Sequence, residues 1–127
     1  MVFIEIEYEN EKLKRLFDDM NDRYYSKGLL KKRIGPQLTA AIKTKVNEIE
    51  SYDNFFLLQQ FCTGKIESLI GDLKGCYSLR LTANYRLIIK PKAPDFSPES
   101  LIICKTVIIK GVIDYHDRSN RRNWLIP

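Results

Sequence analysis

The chain has 127 residues, 44% of them hydrophobic and 29% charged, with a formal charge of +5. That size and balance favour one folded domain over residues 1–127 and exclude a disordered chain. No apolar run approaches the ~20 residues that cross a bilayer, and the acidic, alternating start MVFIEIEYENEK is unlike a secretory leader.

Cys62, Cys76 and Cys104 are an odd number of cysteines without CxxC spacing. They read as reduced thiols of a cytoplasmic protein. With one histidine in the chain, a zinc site is not expected, and no cofactor or metal is implied. The charge is unevenly placed: residues 1–59 are neutral overall, and residues 60–127 carry the whole +5. A localised basic excess suits a polyanionic partner such as RNA or DNA.

Val2, Ile4, Ile6 and Tyr8 alternate with Phe3, Glu5 and Glu7, which predicts a strand with one buried face near a sheet edge. Asn10 is placed to cap a helix whose stripe is Leu13, Leu16, Phe17, Met20 and Tyr24. Gly28 can end it in the left-handed conformation. Gly35-Pro36 opens a second helix, buried along Leu38, Ala41, Ile42, Val46 and Ile49, with Lys43, Lys45, Glu48 and Glu50 towards solvent. Ser51 or Asp53 caps a short third helix over 54–61.

Gly64, Gly71 and Gly75 mark a turn-rich stretch. Cys76 to Thr82 and Tyr85 to Lys90 form a hairpin, with Arg80 and Arg86 sharing the side away from the main core. Residues 91–100, with three of the five prolines, are a surface loop. A long strand runs from Leu101 to Tyr115, with Gly111 marking a bulge. Trp124, Leu125 and Ile126 dock back on the body. The order predicts an α+β fold: two or three helices on one face of a small, mostly antiparallel twisted sheet. The other face is expected to be exposed and positive.

Phosphate-loop, dinucleotide, zincin and nucleophile-elbow motifs are absent. Present instead is a set suited to metal-free RNA cleavage, which needs a base for the 2′-hydroxyl, an acid for the leaving 5′-oxygen, and cations around the phosphorane-like transition state. His116 titrates near neutrality. Arg80, Arg86 and Arg118 can fork phosphate oxygens, Tyr115 or Trp124 can stack on a base, and Asp114 can orient the imidazole. Each has a plainer counterpart. His116 can be a surface or capping residue, Asp114 a turn carboxylate, and the arginines a solvated sheet face. On the residues alone, the reading stops between a nucleic-acid-binding domain and a nuclease.

Leu69, Gly71-Asp72, Gly75, Tyr77, Leu79-Arg80-Leu81, Tyr85-Arg86-Leu87 and Asp114-Tyr115-His116 follow one another in a distinctive order. In that order the chain resembles the HigB-type branch of the RelE/ParE toxin superfamily, the plasmid maintenance killer proteins. The resemblance implies a RelE-like fold and the toxin of a type II toxin–antitoxin system. It implies an mRNA interferase that cuts mRNA in the ribosomal A site, and a helix-turn-helix antitoxin of HigA type as partner. It assigns catalysis to His116, Arg86, Asp114 and Tyr115, and substrate binding to Arg80, Lys74, Arg118 and Glu67. Relatives often carry a second histidine before the Gly-Asp turn; here Glu67 or a neighbour stands there and can take the base role. Two alternatives belong to other classes: a ParE-like toxin acting on DNA gyrase, and a non-catalytic basic RNA- or ribosome-binding module.

Overall fold

A computed structural model describes residues 3–114 and 123–126. It is an α+β structure built on a six-stranded mixed sheet. Strand β1 (Glu5–Tyr8) is followed by α1 (Glu11–Asn21), α2 (Leu29–Ile34), α3 (Pro36–Glu50) and α4 (Phe55–Phe61). Then come β2 (Ile66–Ser68), a single 3-10 turn (Gly71–Leu73), β3 (Tyr77–Arg80), β4 (Tyr85–Pro91), α5 (Pro98–Ile102), β5 (Thr106–Asp114) and β6 (Asn123–Ile126). None of the described helices is long and apolar enough to cross a membrane.

The sheet order is β1-β5-β4-β3-β2. β1 runs parallel to β5, and the other pairs are antiparallel. β6 also pairs with β5, beside Val112, Ile113 and Asp114, whereas β1 lies beside 106–109. Since β4 occupies the other edge of β5 along 107–114, β1 and β6 divide one edge between them.

Local chemistry sets the helix starts. Asn10 Oδ1 accepts from Leu13 N–H at 2.9 Å and Asn54 Oδ1 from Leu57 N–H at 2.9 Å, each satisfying an orphan donor of the first turn. Asn54, not Ser51 or Asp53, is therefore the cap of α4. Gly35, at φ 89°, closes α2 and opens α3, a double duty that a left-handed backbone favouring glycine makes available.

The main core joins Leu13, Phe17, Leu30, Ile42, Ile49, Phe55 and Leu58 of the helices to one sheet face, with Tyr77, Leu79, Leu87, Ile89, Val107, Ile109 and Val112. The opposite face is not bare. Ile88 and Ile113 are fully buried there with Cys76, and Leu69 and Leu73 pack against them. The expected exposed, positive face is thus interrupted by an apolar patch between Arg80–Arg86 at one end and the exposed Lys90 further along β4, because alternation gives β4 and β5 apolar residues on both sides.

Other expectations need correction. Four helices, not two or three, precede β2, since Gly28 and Gly35 bracket the extra α2. Tyr24 is not in the stripe of α1; the helix stops at Asn21 and Tyr24 is 83% exposed. The apolar run from Leu101 does not start a strand: Ser97 caps α5, and β5 begins at Thr106. The turn-rich segment contains β2. Gly111 does mark a bulge. Ile88 pairs with Gly111 but Ile89 with Ile109, so Lys110 is the extra residue, and Gly111 has φ 146°.

Lys45 and Glu48 are not on the solvated side. Lys45 is 7% exposed. Its Nζ meets Glu48 Oε1 at 2.8 Å and the Thr63 carbonyl at 2.9 Å. Glu48 also accepts from Thr63 N–H at 2.6 Å, from its hydroxyl at 2.7 Å and from the Tyr52 hydroxyl at 3.3 Å. Burial alone raises a carboxyl, but the Lys45 ion pair and the Thr63 hydrogen bonds outweigh it and hold Glu48 at about 2. The knot ties the end of α3 to the segment leading into β2.

Candidate RNA-binding and catalytic site

The β3–β4 hairpin brings the two central arginines together. Arg80 and Arg86 are direct cross-strand partners, so their side chains leave the same face. Like charges set opposite one another destabilise a sheet, and an anion held between them removes that repulsion. Two guanidinium groups on one face offer forks that match phosphate oxygens.

The turn of the hairpin positions Arg86. Its Nη1 donates to the Thr82 carbonyl at 2.8 Å, the Tyr85 carbonyl at 3.1 Å and the Ala83 carbonyl at 3.3 Å. Leu81 N–H donates to the Tyr85 carbonyl at 3.0 Å and closes the turn. A guanidinium held by turn carbonyls has its plane oriented, and such ordering lowers the entropic cost of any contact it makes. Sequence pattern placed Arg86 on the correct face but missed these anchors, because backbone carbonyls leave no mark on residue type.

β2 adds two charges. Glu67 pairs with Ser78, and Arg80 N–H donates to the Lys65 carbonyl at 3.2 Å. Ser78 and Arg80 are two apart on β3, so Glu67, Lys65, Arg80 and Arg86 share one face. Glu67 and Lys65 form an exposed ion pair at 2.8 Å. The register makes Lys65 the neighbour of Arg80.

The remaining candidates are distributed differently. Asp114 pairs with Tyr85, while Arg86 pairs with Ile113. Tyr85 packs on the main core and Ile113 belongs to the small cluster on the other side. The register therefore puts Asp114 on the opposite sheet face from Arg80 and Arg86. Lys74 follows the 3-10 turn, before β3, whereas Arg80 ends that strand. Lys74 instead borders a cleft of about 490 Å³ with Leu69, Ile70, Tyr77 and Phe96. Tyr115, His116 and Arg118 lie outside the described residues.

A thiol nucleophile is not favoured by the surroundings of Cys62. Burial, with help from Glu48 and against the pull of Lys45, pushes its thiol up to about 11, which keeps it protonated near neutrality.

No family model and no curated relative matches the sequence. Solved structures do. One similar chain comes from the YoeB–YefM complex of Staphylococcus aureus, at 18% identity and TM-score 0.50, covering 90% of this chain and 98% of that one. Another is a YoeB/ParE toxin from Agrobacterium tumefaciens, at 13% identity and TM-score 0.47, covering 90% of this chain and 100% of that one. These neighbours are YoeB and ParE toxins rather than members of the HigB branch that the motifs suggested. At 18% identity, what the chain shares with the first is its fold, an α+β arrangement on a mixed sheet.

Proposed function

We propose that the chain is the toxin of a type II toxin–antitoxin pair and acts as a ribosome-dependent mRNA endoribonuclease. The observation that carries this reading is the opposed pair Arg80–Arg86, with Arg86 pinned by the hairpin turn. The similarity in fold to a chain of a YoeB–YefM complex supports a cognate antitoxin as partner. The motif order argues for the HigB branch and a helix-turn-helix antitoxin of HigA type.

In this mechanism the 2′-oxygen attacks the adjacent phosphorus and the 5′-oxygen leaves. Arg86 and Arg80 hold the non-bridging oxygens, whose charge grows in the transition state. His116, just past the end of β5, donates a proton to the leaving oxygen. Glu67, on the arginine face, accepts the 2′-hydroxyl proton. Tyr115 stacks on a base and Arg118 supplies further positive charge. Asp114 acts, in this reading, through the chain that follows it rather than beside Arg86. Lys74 contacts substrate away from the scissile phosphate.

The test is to map mRNA ends in cells expressing wild type, Arg86→Ala or His116→Gln. Codon-phased cuts that vanish in both variants support the reading. Growth arrest with intact mRNA and altered DNA topology points to gyrase instead, and absence of both effects to a binding module.

A further inference from the structure

From Arg23 to Asn47 the sequence holds seven Lys and Arg residues and no Asp or Glu. The neutral total of the first 59 residues conceals this segment, because the carboxylates fall on either side of it. Lys45 is consumed by Glu48. Arg23, Lys27, Lys31, Lys32 and Arg33 are all exposed, and along the chain they flank two further exposed residues that no structural role explains. Tyr24 and Tyr25 are 83% and 82% exposed, side by side between α1 and α2.

The turn that carries them is built, not slack. Asp22 Oδ1 accepts from Tyr24 N–H at 3.0 Å and Tyr25 N–H at 2.8 Å. Asp19 accepts from Lys27 N–H at 2.7 Å and Leu29 N–H at 2.8 Å, and these bonds hold its carboxyl below the usual carboxylate range. Leu30 anchors α2 in the core. Both acids near the phenols are thus turned to backbone amides, and the outward surface is aromatic and cationic. Single exposed aromatics are ordinary. Two adjacent ones on a fixed turn, within a segment carrying five exposed cations, match the stacking platforms and phosphate contacts of single-strand binders.

The surface also leads to the tip of the hairpin that carries the arginine pair on its other face. Ile34 and Gly35, at the end of α2, line a cleft of about 350 Å³ whose far wall is Thr82 and Tyr85. Thr82 is the residue whose carbonyl holds Arg86. We propose that the α1–α2 turn and α2 form a second RNA-binding surface. An unpaired RNA segment stacks on Tyr24 and Tyr25, sets its phosphates on Lys27, Lys31 and Lys32, continues through the Gly35–Thr82 cleft, and rounds the hairpin turn to the arginines on the other face. The inference rests on RNA being the ligand of the Arg80–Arg86 face, and it adds the bases and phosphates flanking the cut.

The experiment measures anisotropy of a short labelled RNA strand, 2′-O-methylated so that it cannot be cut, against full-length protein. Tyr24→Ala/Tyr25→Ala is expected to weaken binding about ten-fold or more. Lys31→Glu/Lys32→Glu is expected to weaken it and to reduce the salt slope, by about one unit or more. Lys92→Glu, an exposed position beside Glu7 of β1, should leave both unchanged. Thermal melts confirm that the exposed substitutions leave the fold intact. Wild-type affinity in the tyrosine pair, or equal weakening by Lys92→Glu, overturns the proposal. So does loss of antitoxin binding with RNA binding intact, which would make the surface a protein-docking site. If the patch variants lose RNA while Arg86→Ala still cuts like wild type, the proposed catalytic function falls and this surface stands. The reverse pattern removes this surface alone.

Discussion

Lys45 and Glu48 show how much one residue's meaning depends on chain that arrives later. One turn apart on α3, they look like a surface ion pair worth a few tenths of a kcal/mol. The return of Thr63 buries them and gives Glu48 three further hydrogen-bond donors, counting Tyr52. Removing one partner of such a pair leaves the other stranded, so Lys45→Met should cost about 3 kcal/mol in denaturant melts. Glu48→Gln added to it should recover part of that loss, because the stranded charge goes too. The pH dependence has a definite sign. Glu48 sits at about 2 in the folded chain against an ordinary 4.5. Its contribution is therefore complete above about pH 4.5 and is lost as the pH falls towards 2. Melting temperatures followed down that range should drop less steeply in Glu48→Gln than in wild type. At the candidate site, Arg86→Ala should abolish phased mRNA cutting, whereas Arg86→Lys should retain little, since an ammonium cannot reproduce the fork.

At the scale of elements, boundaries with a chemical signal were legible. Asn10, the Gly35-Pro36 pair, the tight turn after Thr82 and the bulge at Gly111 each follow from what one residue type can do locally. Asn54→Ala should remove about 1 kcal/mol by leaving the Leu57 N–H without its cap. Gly111→Ala should cost about 1–3 kcal/mol, because φ 146° is strained for any residue with a Cβ; equilibrium unfolding checks both. Elements whose signal merged with a neighbour were misread. Leu101, Ile102 and Ile103 join the apolar run of β5 in sequence, yet Ile102 is 47% and Ile103 74% exposed. The face of Asp114 was equally hidden. Alternation shows that it opposes Ile113, but only the pairing with Tyr85 shows which side is which.

For the whole molecule, the sheet separates two tasks. One face supports the helical core, and the other is divided between the small Cys76–Ile88–Ile113 cluster and the arginine end. The class of fold was readable because strand and helix periods are distinct. The second cluster was not, because an apolar residue on the far face looks the same in sequence as one on the near face. Core and periphery should differ sharply in melts: Ile126→Ala, at a fully buried position, should cost about 2–4 kcal/mol, and Ile103→Ala less than about 0.5 kcal/mol.

The shared edge of β5 has a colloidal consequence. β5 is rich in branched apolar residues, and a strand of that composition with open backbone groups is a template for aggregation. Here β1 covers its first half and β6 its second, the two ending towards each other at Ile109 and Val112 beside the bulge. Variants that loosen either cover, Ile126→Ala among them, should therefore lose solubility on warming before they lose their helices, seen as light scattering rising ahead of the far-ultraviolet signal.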